Sequence, residues 1–69
     1  MQVDATIRIR SYAFPGNIHA QWSVLPSQAS SMMPVVFAEH DSLLKEEPAM
    51  EWTVEYRGQD SDWHPYGGY

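Results

Sequence analysis

The chain contains no cysteine. Disulfides and thiolate metal sites are therefore excluded. Basic residues are scarce, four Lys and Arg in 69 residues. Direct binding to a nucleic-acid backbone needs clustered Lys and Arg that displace counterions, so no direct nucleic-acid contact is expected. Long hydrophobic runs are missing too. The longest, Met32 to Ala38, falls far short of the roughly 20 residues that span a bilayer. The first residues, MQVDATIRIR, alternate like a strand and lack the charged and then apolar regions of a secretory leader. These absences lead us to expect a soluble, cytoplasmic chain with no membrane partner. Glycine occurs only as Gly16, Gly58 and the pair Gly67-Gly68, which excludes a glycine-rich phosphate loop.

What the chain does have is aromatics: three Trp, four Tyr and two Phe. Each buries roughly 150–250 Å², which matters in a domain whose single core supplies only about 3–5 kcal/mol. With no disulfide to help, stabilisation must come from these rings, from self-association or from a partner. Homodimerisation is accordingly an expectation, because so small a core gains from covering an apolar patch.

Three segments alternate apolar and polar residues. Val3, Ala5, Ile7 and Ile9 interleave with Asp4, Thr6, Arg8 and Arg10; Ile18, Ala20, Trp22 and Val24 with His19, Gln21 and Ser23; Met50, Trp52, Val54 and Tyr56 with Glu51, Thr53, Glu55 and Arg57. A period of two predicts strands over about 3–12, 18–25 and 50–57, with all twelve apolar residues on one face. Phe14-Pro15-Gly16-Asn17 supplies a turn between the first two, and Pro26 ends the second. Arg8 and Arg10 face the same polar side as Glu51 and Glu55, so strands one and three are expected to be neighbours with strand one central.

Met32 to Glu47 reads as one helix, capped by Ser30 or Ser31, with Pro34 in its first turn and Pro48 as its stop. Met33, Val36, Phe37, His40 and Leu44 would then share a face. The competing reading is a strand over Val35 to Glu39 followed by a short helix over 42–47. The expected architecture is α+β: a three-stranded antiparallel ββαβ sheet packed by one helix, with a four-stranded sheet and a short helix as the alternative. Residues 1–58 would form the domain and residues 59–69 an aromatic, Gly/Pro-rich tail whose Trp63, Tyr66 and Tyr69 close the core or dock onto another subunit.

The formal charge is −5 and lopsided. Residues 1–38 sum to +1 and residues 39–69 to −6. An acidic half suits a basic partner surface. The candidate protein-binding residues are therefore Glu46, Glu47, Glu51, Glu55, Asp60, Asp62, Trp63, Tyr66 and Tyr69, since Trp and Tyr dominate binding energies at interfaces. Tyr12 and Phe14, in the turn region, are further exposed aromatics. Arg8, Arg10, His19 and Gln21 form a second candidate set, on the polar face of the first hairpin, for a small anion such as a nucleotide. Asp60, Asp62 and His64 alternate, a spacing that occurs readily by chance in acidic turns, so no metal and no cofactor are assigned.

Catalysis is not expected. The serines lack an elbow motif or an adjacent base, Glu46 and Glu47 diverge on a helix, and a chain this small builds a substrate-sized pocket with difficulty unless it dimerises. The sequence therefore points to a small acidic protein-binding module. It would act as an inhibitor or adaptor by surface occlusion, of the compositional type found in phages and other mobile elements. The alternatives are a homo-oligomer that captures a small anion and a structural or assembly component.

Overall fold

The computed structural model of the chain describes residues 4–58 and 61–66. Strand β1 (Ala5–Ser11) and strand β2 (Ile18–Val24) form a hairpin, helix α1 (Ala29–Glu46) follows, and strands β3 (Trp52–Arg57) and β4 (Trp63–Pro65) complete an antiparallel sheet of order β2-β1-β3-β4. The sheet is thus four-stranded rather than the three-stranded one expected first. The additional strand comes from residues assigned to the tail: Trp63, His64 and Pro65 pair with Arg57, Tyr56 and Glu55. One helix lies across one face, giving two layers. The reading with a strand over Val35 to Glu39 is not adopted.

The hairpin turn forms as its residues dictate. Asn17 N–H donates to the Phe14 carbonyl at 2.9 Å around Pro15 and Gly16, and proline supplies the preset φ at the second position. The loop is also tied to the start of β3. The buried Ser11 hydroxyl donates to the Met50 carbonyl and accepts from Phe14 N–H at 2.9 Å, while Tyr12 N–H donates to the Glu51 carbonyl at 2.9 Å.

The apolar alternation holds along β1 and β3 but breaks in β2. Ile9 pairs with Ala20, whereas Arg10 pairs with Ile18, so the register slips at His19. One inserted residue is a β-bulge, and it turns the following side chain to the other face. Ile18 therefore lies on the outer face beside Arg10, 48% exposed, and His19 swings to the helix side. Ile18→Thr should accordingly change unfolding free energy by no more than about 0.5 kcal/mol in urea titrations. A loss several times larger would return Ile18 to the core.

Helix α1 starts earlier than the sequence suggests. A 3-10 turn over Pro26–Gln28 runs directly into Ala29, and Gln28 occupies the cap position without a side-chain bond. Ser30 and Ser31 are inside the first turn instead of capping it. Pro34 consequently sits in the second turn, where its missing N–H leaves the Ser30 carbonyl without its helical donor. Ser30 is exposed, so water replaces that donor at small cost. The far end closes with Glu47 N–H on the Leu43 carbonyl at 2.8 Å.

The core comprises Ile7, Ile9, Val54 and Trp52 from the sheet against Ala29, Met33, Val36 and Leu43 from the helix, with Phe37, Tyr56, Tyr66, Trp22 and Val24 around it. Leu43, rather than Leu44, faces the sheet; Leu44 is exposed. Strand β3 begins at Trp52 and not at Met50. Pro48–Met50 makes a second 3-10 turn, and Glu51 adopts a left-handed φ of 53° that redirects the chain into the strand. A non-glycine residue there carries mild strain.

Candidate functional site

The site is built by the mismatch between a six-residue β3 and a three-residue β4. In an antiparallel ladder, successive residues turn their backbone groups alternately to one neighbour and the other. Tyr12 N–H on Glu51 fixes this alternation, so Trp52, Val54 and Tyr56 turn theirs away from β1. β4 covers Glu55 to Arg57, and Tyr66 N–H adds a bond to the Val54 carbonyl at 2.9 Å. Among the described residues, the Trp52 end of β3 projects past β4. There the Trp52 carbonyl accepts a hydrogen bond from His40 Nε2 at 2.7 Å. A carbonyl only accepts, so His40 carries its proton on Nε2.

The space beside this edge is a groove of about 520 Å³. Phe37, His40 and Leu44 of α1 form one wall, Trp52 to Glu55 of β3 the floor, and Tyr66 and Pro65 one end; Tyr12 from the hairpin loop and Arg10 form the other. Phe37 lies in ring contact with His40 and with Tyr66, both at 6.2 Å, and Tyr66 with Tyr56 at 6.0 Å. The wall is thus rigid aromatic surface. Tyr12 is 66% exposed and Leu44 39%, so the apolar lining continues out to solvent. Trp52 contributes one further feature. It is buried to 7% exposure, and its indole N–H has no acceptor among the described residues. A buried donor without a partner costs about 1–3 kcal/mol, and such costs gather at sites not optimised for stability alone.

Acidic residues lie near the groove in sequence without lining it. Glu46 is the last residue of α1 and Glu47 its C-cap, beside Lys45, and Glu51 immediately precedes Trp52; all three are exposed. The C-terminal end of a helix already carries partial negative charge, so these carboxylates reinforce it.

The outer face of the sheet is organised differently. Arg8 and Arg10 both bind Glu55: Arg8 Nε at 2.7 Å, Arg10 Nε and Nη2 at 2.8 Å. All three side chains are mostly covered, at 13–22% exposure. Burial alone would push the Glu55 carboxyl up, but its hydrogen bonds with Arg10 and Arg8, together with their charges, hold it below the ordinary carboxylate value. The Arg8 guanidinium also lies 3.7 Å from the centre of the Trp63 ring, and that of Arg57 4.7 Å from it. β1 is central and pairs with β3, as the charge pattern suggests, although Glu55 takes both arginines and Glu51 neither.

Of the acidic candidates, Glu46 and Glu47 lie at the C-terminal end of α1 and Glu51 just before β3; all are exposed and none lines the groove. Glu55 does not join them, being consumed by the arginines, and Asp62 lies before β4 at the opposite end of β3. Trp63 packs on the outer face and Tyr66 in the groove. Asp60 and Tyr69 lie outside the described residues. The anion set does not assemble. Gln21 is opposite Arg8, but the bulge sends His19 to the helix side, where its Nε2 is 3.6 Å from Glu39 and its ring stands 5.8 Å from Trp52. The groove residues Phe37, His40 and Leu44 were legible as a helical stripe, but as core. Their spacing gives no sign that, among the described residues, β4 is shorter than β3 and leaves part of that stripe uncovered.

No protein-family model, no curated protein and no solved structure matches the chain.

Proposed function

We propose that the chain is a small acidic protein-binding module whose contact surface is the groove at the β3 edge, and that it inhibits or adapts its partner by occluding the surface it covers. The observation that carries this reading is an aromatic-walled groove of about 520 Å³ in a chain whose residues 39–69 carry a net charge of −6. Rigid aromatic surface is the usual source of binding energy, and net negative charge selects a basic partner and speeds encounter. The preferred occupant is an extended peptide segment with an aromatic or aliphatic anchor and flanking Lys or Arg.

Of the groove residues, Glu55 is held by two guanidinium groups and His40 donates its Nε2 proton to a backbone carbonyl. On the outer face Glu55 already offsets part of the positive charge of Arg8 and Arg10, which weakens their attraction for a small anion.

Panning a random peptide display library on the immobilised chain tests the reading. Enriched peptides should pair apolar anchors with Lys or Arg and weaken as salt is raised. They should also lose about ten-fold or more in affinity for the double variant Tyr12→Ala, Leu44→Ala, equivalent to about 1.4 kcal/mol. Peptides that bind the double variant as tightly as the parent would place the contact surface elsewhere.

A further inference from the structure

The two edges of the sheet are not alike. At one edge, β4 is three residues long and ends in proline, two devices that discourage further pairing. At the other edge, β2 runs seven residues, Ile-His-Ala-Gln-Trp-Ser-Val, with neither proline nor a formally charged residue. Its one irregularity is the bulge at His19, at its start. By the ladder alternation, Ala20, Trp22 and Val24 turn their backbone groups to β1, and Gln21 and Ser23 turn theirs outward.

The helix-facing side of β2 is largely apolar. Helix α1 packs mainly on β3 and β1, so Trp22 and Val24 are only half-buried beneath it. Leu25 is 38% exposed and Val35 60%. Residues 11–38, which include all of β2, hold no Asp, Glu, Lys or Arg in a chain of charge −5.

We propose that β2 is the seam of a homodimer, in which two copies pair their β2 strands antiparallel into one continuous eight-stranded sheet. The occupant is a second copy because an antiparallel self-pair is closed by a two-fold axis, with the same patch on both sides. Two acidic chains meet with least repulsion along their only long uncharged stretch, and β2 itself has no charge with which to choose a foreign strand. Two carboxylates stand at the ends of the strand: Glu39 by His19, and Asp4, which precedes Ala5, the partner of Val24. The middle of the strand, where two copies would pair, is free of both. The groove is on the opposite edge and stays open in the dimer.

Sedimentation equilibrium of the full chain over a wide concentration range tests this. The parent should pass from 7.9 kDa to twice that mass as concentration rises. Gln21→Lys, whose side chain stands opposite Arg8 on the outer face, and Ser23→Pro, whose backbone N–H turns outward, should stay at the monomer mass with unchanged near-ultraviolet circular dichroism. Should Ser23→Pro fail to fold, Gln21→Lys decides. A parent that remains at the monomer mass throughout, or a folded Gln21→Lys that still doubles, overturns the proposal. Neither result touches the peptide-binding reading, which is measured at the other edge.

Discussion

Glu55→Gln should remove about 2–3 kcal/mol of stability at neutral pH. One carboxylate joins β1 to β3 by binding Arg8 and Arg10 at 2.7–2.8 Å, with all three groups mostly covered. The amide keeps the shape but offers one neutral acceptor to two guanidinium groups that are only partly exposed. In a domain this small the loss corresponds to a fall in Tm of roughly 10–20 °C. The pH dependence follows from the same geometry. The Glu55 carboxyl is held below its ordinary value of 4.5, so its contribution is complete above that value and is lost as pH falls through the folded-state value. The parent should therefore lose stability progressively below about pH 4.5. Glu55→Gln should start lower and show a flatter acid limb. Equal acid limbs would mean that another carboxylate governs acid unfolding.

Ile9→Ala should cost still more, about 3 kcal/mol or above, because truncating a fully buried isoleucine removes apolar area and leaves a cavity. Ile9 is completely buried between Ala20 and Val54, within the core beneath α1. Set against a core contribution of about 3–5 kcal/mol, the variant should be substantially unfolded at 25 °C by urea titration and circular dichroism. The contrast with Ile18 is the informative part. Both isoleucines occupy apolar positions of the same hairpin pattern, yet the bulge leaves Ile18 outside. Comparable losses at both positions would contradict the register described for β2.

That contrast also marks where sequence reading reaches its limit. Period-two patterning is a local signal, and it located three strands, the central place of β1 and the Arg–Glu ladder. A bulge is a property of two strands together. Nothing in Ile18-His19-Ala20 alone announces that His19 is the extra residue, so His19 was grouped with Arg8 and Arg10. β4 is hidden in the sequence for a similar reason. Trp63-His64-Pro65 is too short and too proline-bound to carry an alternation, and it becomes a strand only because β3 offers it an edge. The helix start moved because Pro26 opens a 3-10 turn that feeds α1, a continuity that the serines obscured by looking like caps. The groove is assembled from Tyr12, Phe37, His40, Leu44, Trp52 and Tyr66, which meet only once these other features are in place.

The central claim is that the β3 edge is where this chain meets its partner. Amide chemical-shift mapping of the isotopically labelled chain, titrated with a peptide enriched by the display selection, tests that claim most directly. The account predicts perturbations concentrated at Tyr12, Phe37, His40, Leu44, Trp52 and the Trp52 indole N–H, weakening as salt is raised. Perturbations confined to the Arg8–Trp63 face, or running along β2, would contradict it.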